Sequence, residues 1–442
     1  LPDASDGDRR DRHDADDGQN PLTDPPTAKD ALDATGIRRG VLHVRQYNAA
    51  CVTLRAMLIR LAAIVGLLAG CTISRAADAV DSSTLRGRVM AGYQGWFRCP
   101  GDAANLGWVH WSRNGRVLTP EMLSFEMWPD LKEFLAEEKI AAPGFTYPDG
   151  SQAYLFSSDN AAVVLRHFQW MRDYGIDGAW LQQFVVDLPG EGGRRMAPSR
   201  SRVLQYVANA AKKTGRVWAI TYDCSGGKEE RIFNAITSDW KRQVDGKVTA
   251  DDRYLKEAGH PVVEIYGFFP KDATSGLTRD VANRLLDFFA TPGPYQAFVV
   301  GSGDWNWRKN ADADWRKTFN RLGGYIPWNI GNLSIDRERV KHAQMGYWAD
   351  DRKACDDAGM LWIPTVYPGF SWDNLQRKPA GSTEIPRRGG KFYWEQFHRL
   401  AEMKQTTVFV AMFDEVDEGT AIFKVTSKPP TQAPFVGLEG MP

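Results

Sequence analysis

Cysteine is scarce, 5 in 442 residues, and no two are spaced Cys-x-x-Cys. Neither a disulfide framework nor a zinc site is therefore indicated. Beyond residue 79 only Cys99, Cys224 and Cys355 remain, an odd set that allows one bridge at most. An excess of one charge is also missing, since Lys plus Arg and Asp plus Glu stand at 55 each. That balance provides no global field to draw the chain to nucleic acid or to an anionic membrane surface. No Gly-x-Gly-x-x-Gly follows the first strand-like run and no Gly-x-x-x-x-Gly-Lys-Ser/Thr occurs, which sets aside dinucleotide and P-loop chemistry. There is no internal repeat and no basic face interleaved with aromatics. The longest purely apolar run, Leu61 to Ala69, is too brief to span a bilayer comfortably.

What is present begins with that run. Leu1 to about Asp33 is crowded with Asp, Arg, Gly and Pro and lacks aromatics, so it cannot bury a core. Residues 1–56 are expected to be disordered or a non-native extension, with Met57 the true start. Met57-Leu-Ile-Arg60 followed by the apolar run has the form of a secretory signal peptide over residues 57–79. Two cleavage sites compete. Leu68-Ala-Gly-Cys71 has the form of a bacterial lipobox, which would leave Cys71 lipidated, and Ala77-Asp-Ala79 suits ordinary signal peptidase. Either implies export, with the mature chain periplasmic, an outer-membrane lipoprotein or secreted, and touching a membrane only through a lipid at Cys71.

From Val89 onward, apolar or aromatic runs alternate with polar, helix-like segments. Eight runs predict strands: Val89–Phe97, Ile176–Phe184, Val217–Asp223, Pro261–Phe268, Ala297–Gly301, Gly324–Asn329, Met360–Tyr367 and Thr407–Phe413. Helices are predicted over Asp159–Tyr174, with Asp159 as cap and Val163, Val164, Phe168 and Met171 on one stripe, over Val203–Lys213, and over the amphipathic Val281–Phe289. Arg98 to Ser158 carries Trp108, His110, Trp111 and Trp128 without a readable period and is expected to be a long loop after the first strand. Eight strands separated by helices fit a (β/α)8 TIM barrel, a single domain over residues 85–442, better than a doubly wound sheet. After the last strand only a short segment runs to Pro442, which leaves little for a closing helix.

The C-terminal ends of barrel strands are where chemistry is done. Here those ends carry Tyr93 and Trp96, Gln182 and Gln183, Asp223, Trp305, Trp328 and Asn329, Tyr367, Trp372 and Asp373, then Asp414, Glu415, Asp417 and Glu418. Aromatics mixed with amides and acids on one rim suit a sugar site, because flat rings stack on pyranose C–H faces while amides and acids bond hydroxyls. Glycoside hydrolysis commonly uses two carboxyl groups about the anomeric carbon. Glu415 and Glu418 supply two, provided the chain turns after Glu415, since positions three apart on an extended strand face opposite ways.

At these residues the sequence resembles glycoside hydrolase family 99, the endo-α-mannosidase family, and related family 71/99-like bacterial proteins. That family's last strand reads approximately Phe-Asn-Glu-Trp-His-Glu-Gly-Thr-Gln-Ile-Glu, and Phe413-Asp-Glu-Val-Asp-Glu-Gly-Thr-Ala-Ile-Phe423 keeps Phe, both Glu, Gly, Thr and Ile. His110-Trp111, Ile363-Pro-Thr-Val-Tyr-Pro-Gly-Phe370 and Arg388-Gly-Gly-Lys-Phe-Tyr393 match further family segments. The resemblance implies a retaining hydrolase without metal or other cofactor. Glu415 would take the proton of the sugar 2-hydroxyl, so that this oxygen attacks the anomeric carbon and forms a 1,2-anhydro sugar. Glu418, protonated at the start, would act as acid and then base. The family's Asn, Trp and His become Asp414, Val416 and Asp417, which adds negative charge and removes an aromatic wall.

The expected partner is an oligo- or polysaccharide, with no nucleic acid, and the expected state is a monomer. Two other readings stand beside the enzyme. One is a non-catalytic glycan-binding lipoprotein on the same barrel. The other is a metal site built from Asp414, Asp417 and Glu418, although their spacing fits no Ca²⁺ loop.

Overall fold

The structure is a computed structural model, and it describes residues 79–189, 195–270 and 277–437. The extension over 1–56, the export segment with Cys71 and the Gly-rich stretch at 190–194 lie outside the described residues.

Nine parallel strands form one curled sheet. They are β1 (Val89–Tyr93), β2 (Gly178–Phe184), β3 (Val217–Asp223), β4 (His260–Phe268), β5 (Phe298–Asp304), β6 (Gly324–Trp328), β7 (Leu361–Trp362), β8 (Thr365–Val366) and β9 (Val408–Val410). Their order is β7-β6-β5-β4-β3-β2-β1-β9-β8. The two ends of this path are consecutive in sequence, parted only by Ile363 and Pro364. The amide of Ile363 donates to the Tyr325 carbonyl of β6 at 3.0 Å, and the amide of Phe409 in β9 donates to the Pro364 carbonyl at 3.0 Å. Pro364 has no N–H to offer, so regular pairing lapses there. The architecture is TIM-barrel-like. Strands β2 and β3 are buried almost throughout, with Trp180 and Trp218 at 0% exposure, as expected of a parallel sheet covered on both faces.

Each strand falls within or overlaps a predicted run. The helix predicted over Asp159–Tyr174 spans Ala161–Asp173, and Asn160, not Asp159, caps it: the Asn160 side chain accepts from the amides of Ala162 and Val163. Asp159 instead pairs with Arg202 at 2.5 Å. The predicted stripe of Val163, Val164, Phe168 and Met171 is buried. Further helices at Ala197–Thr214, Glu229–Asp245, Arg279–Ala290, Ala313–Phe319, Trp348–Asp357 and Lys391–Glu402 belong to the same chain.

The segment predicted as a long loop is not featureless. It contains 3₁₀ turns at Pro120–Met122 and Ala136–Glu138 and an antiparallel ribbon of Ile140–Thr146 against Gln152–Leu155. Its aromatics make a second layer of core. Trp111 packs edge-on to Phe125 at 5.0 Å and Phe156 at 5.3 Å, and Trp128 packs on Phe435 at 5.5 Å. Backbone bonds tie it to the chain beyond β9. The amide of Glu126 donates to the Val416 carbonyl at 2.7 Å, and that of Asp130 to the Lys424 carbonyl at 2.9 Å. The segment therefore buttresses the acidic turn. Cys99, Cys224 and Cys355 are free and buried.

Candidate active site

After β9 the chain runs through Ala411 to Phe413 and turns. The Glu415 carbonyl accepts from the amides of both Thr420 and Ala421, at 3.2 and 3.1 Å. Gly419 makes the turn possible. It lies at φ +63°, and a Cβ there would meet the Ser371 amide nitrogen at 2.8 Å. The Ser371 amide in turn donates to the Glu418 carbonyl at 2.9 Å. This close approach places Glu415 and Glu418 on the wall of one cleft of about 460 Å³, with Gln94, Trp96, Gln182, Asp223, Tyr266, Trp328 and Trp372.

Gln94 Nε2 donates to Glu415 Oε1 at 2.9 Å, and Thr420 Oγ1 lies 3.3 Å from Glu415 Oε2. Among the described residues no side chain donates to the Glu418 carboxyl. Burial pushes both carboxyl groups up, Glu418 to about 7 and Glu415 well above the ordinary range, with repulsion from Glu418, Asp417 and Asp414 adding to the shift of Glu415. The family resemblance implies Glu418 as the protonated member. The structure raises both, and Glu415 is the more deeply enclosed by other acids. Across the cleft, Asp223 Oδ1 accepts from the Ser225 amide at 2.8 Å and Oδ2 from Gln182 Nε2 at 3.3 Å. Burial still raises the Asp223 carboxyl to about 6.

The aromatic walls are Trp96, Trp328 and Trp372. Trp96 is sandwiched between the His110 ring, 3.7 Å away and within 8° of parallel, and the Phe184 ring at 5.4 Å. His110 Nδ1 lies 3.1 Å from Asp417 Oδ2, so these two stand behind Trp96 and support it. Burial drives both toward their neutral forms, Asp417 up to about 8 and His110 down to about 3. His110 holds φ +62°, a backbone conformation uncommon for a side chain of its kind.

Several residues expected on the rim are not brought to this cleft. Asp414 is fully buried, and its two oxygens accept from the amides of Gln94 and Gly95 at 2.8 and 2.9 Å. It fixes the end of β1. Tyr93 bonds His167 at 2.9 Å inside the core, and Trp111 donates from Nε1 to the Phe156 carbonyl at 3.0 Å. Gln183 is buried on the opposite face of β2 from Gln182, as strand alternation requires. Trp305 packs on Tyr347 at 5.2 Å, and Asn329 accepts from the Tyr347 hydroxyl at 2.5 Å. Tyr367 packs on Phe392 at 5.1 Å. Asp373 holds the next loop by accepting from Ser382 and Thr383, and Arg388 pairs with Glu395.

Sequence reasoning missed Gln94, Phe184, Ser225, Tyr266, Ile330, Gly331 and Phe370 on the same wall. Tyr266 and Phe184 carry a readable signal, the inward register at the end of a predicted strand. Ile330 and Gly331 carry none. Among the described residues no group of three or more His, Cys, Asp or Glu is arranged to hold a metal ion.

The fold is similar to that of the glycoside hydrolase family 99 endo-α-mannosidase of Bacteroides thetaiotaomicron. One structure of that enzyme, in complex with bis-tris propane, aligns with a TM-score of 0.57 at 17% identity over 81% of this chain and 93% of the other. A second structure of it gives 0.55 at 14% identity, over 81% and 94%. At such identities the likeness is one of fold. No protein-family model and no curated protein matches the chain.

Proposed function

We propose that this chain is a glycoside hydrolase acting on a glycan, with Glu415 and Glu418 as its reacting pair. The observation that carries the reading is the turn that sets both carboxyl groups on the wall of one aromatic-lined cleft, beyond the C-terminal end of β9. The sheet is read as a closed (β/α)8 barrel whose seventh strand is β7 and β8 together, interrupted at Pro364. The two hydrogen bonds that flank the interruption support this reading. The cleft then lies where barrel enzymes hold their substrates.

In the proposed reaction Glu415 accepts the proton of the sugar 2-hydroxyl as that oxygen bonds to the anomeric carbon, while Glu418 protonates the departing glycosidic oxygen. Water then opens the 1,2-anhydro sugar, giving one proton to Glu418 as Glu415 returns its proton to O2. The first step needs one carboxylate and one carboxylic acid, hence a single proton shared by the pair. Burial and mutual repulsion favour that state. Gln94 and Thr420 donate to Glu415, and these bonds oppose the upward shift of its carboxyl.

Glu418→Gln is expected to lower release of reducing sugar by about 10²–10⁴-fold while leaving glycan binding nearly intact. Full turnover in that variant overturns the assignment. Binding by the wild type without turnover on any α- or β-linked glycan favours a binding protein instead. Because the pair gives up its first proton near 7 and its second only well above, activity should rise through about 7 as the one-proton state forms. A pH-rate profile without an acidic limb near 7 contradicts the role.

A further inference from the structure

Phe370 and Trp372 line the cleft on either side of Ser371, and their rings meet edge-on at 5.2 Å. Ser371 itself is buried and donates from Oγ to Glu126 Oε2 at 3.1 Å. The other oxygen of that carboxyl, Oε1, accepts from the amides of Asn374 and Leu375 at 2.7 and 3.4 Å. Glu126 therefore grips the chain on both sides of Trp372. Position 371 also leads to the acidic turn, because the Ser371 amide donates to the Glu418 carbonyl at 2.9 Å. One buried carboxyl, 245 residues away from Ser371 in the chain, is thus bonded to the segment that presents an aromatic wall and braces the proposed acid.

The backbone of Glu126 is anchored without its side chain. Its amide donates to the Val416 carbonyl at 2.7 Å, and its carbonyl accepts from the Val436 amide at 2.8 Å. The acidic turn has a second support as well, since Arg387 Nη2 donates to the carbonyls of Gly419 and Ala421 at 2.8 and 2.7 Å. Asn374 Nδ2 donates to the Phe125 carbonyl at 2.9 Å. All of these bonds survive loss of the Glu126 carboxyl. What that carboxyl adds is the convergence of three donors on two oxygens, which fixes where residues 371, 374 and 375 stand relative to one another. Burial lifts it to about 7, whereas the bonds from Asn374, Ser371 and Leu375 act in the opposite direction and offset part of the cost of burying it.

We propose that Glu126 is a positioning residue for the reaction, whose carboxyl holds Ser371 to Leu375 so that Trp372 and Glu418 keep their places on the cleft wall. The proposal rests on the reading of Glu418 as a reacting group and adds the residue that sets it. Glu126 does not line the cleft, so it acts only through the segment it holds. Small displacements at a reacting pair are costly to the rate, because proton transfer needs the acid within hydrogen-bond reach of the departing oxygen.

The test pairs turnover with amide hydrogen exchange on the full chain. Glu126→Ala is expected to lower kcat by about 10²-fold. Glu126→Gln keeps an acceptor for the Asn374 amide and an NH₂ for the Ser371 hydroxyl, and should restore the rate to within about threefold of wild type. In the Glu126→Ala protein without ligand, exchange should quicken about tenfold over residues 371–375 and 418–421 and stay as in wild type over Val217–Asp223. A Glu126→Ala rate equal to wild type overturns the proposal. So does a Glu126→Gln protein as slow as Glu126→Ala, or exchange that quickens throughout the chain. Should Glu126→Ala fail to fold, Ser371→Ala removes a single donor and is expected to slow turnover roughly fivefold, an unchanged rate again overturning the proposal. Failure of the hydrolase reading is separate, since it shows as a wild type that releases no sugar from any glycan, and the exchange measurement then decides the positioning by itself.

Discussion

At the scale of single residues, the acidic stretch 414–418 divides into groups with different work. Asp414 faces inward and satisfies two backbone amides, those of Gln94 and Gly95. Removing it as Asp414→Ala leaves two buried N–H groups unpaired, at a cost of about 1–3 kcal/mol each. Asp414→Asn keeps one acceptor and should cost less. Urea denaturation of the two variants checks the order, and equal stabilities would contradict it. The tryptophans divide in the same way. Trp328 is on the cleft wall, so Trp328→Ala should weaken oligosaccharide binding by about tenfold. Trp305 packs on Tyr347 away from that wall, and Trp305→Ala should leave the affinity unchanged. Titration of both variants with one glycan decides. These divisions were only partly legible in the sequence. Glu415 and Glu418 stood out because two acids spaced three apart at a strand end meet a known chemical need. Whether Asp414 points into the cleft or beneath it depends on where β1 ends, 320 residues earlier in the chain though β1 and β9 are neighbours in the sheet.

At the scale of elements, the strand-to-turn change after β9 is the device that brings the pair together. Gly419 lies where a left-handed backbone and contact with the Ser371 amide coincide. Gly419→Ala is therefore expected to destabilise the protein by about 1–3 kcal/mol and to lower turnover more than binding, because the Glu418 side must shift. A melting temperature and rate equal to wild type would count against this. The long segment between β1 and β2 shows the opposite kind of element. Its sequence has no period because its order comes from contacts with distant partners, Trp128 with Phe435 and Glu126 with the Val416 carbonyl. Strands such as Val217–Asp223 were legible at their observed bounds, since continuous burial selects a local run of β-branched and aromatic residues.

At the scale of the whole molecule, the acids enclosed by the curled sheet and the turn couple its stability to pH. Burial raises Asp223 to about 6, Asp414 and Glu418 to about 7, and Asp417 and Glu264 to about 8. Each folded value lies above the unfolded one, so the native state holds protons that the unfolded chain has already released. Their stabilising contribution is full below the ordinary carboxylate range and is lost as pH rises through about 6–8. The melting temperature should accordingly be higher near pH 6 than near pH 8, and a scanning calorimetry series showing the reverse would refute this. By itself the sequence determined the parallel strands, the alternation with helices and the two glutamates at the end of the last strand. Those features follow from local hydrophobic runs and from the few chemistries that paired acids at a strand end can serve. Only the tertiary structure decided which aromatics face the cleft and which fill the core. It also decided that Gln94 and Tyr266 belong to the wall. Those outcomes depend on how the sheet curls and on which distant segments pack against it. Burial, and with it every shifted acid in the site, is a property of that packing and not of any one stretch of chain.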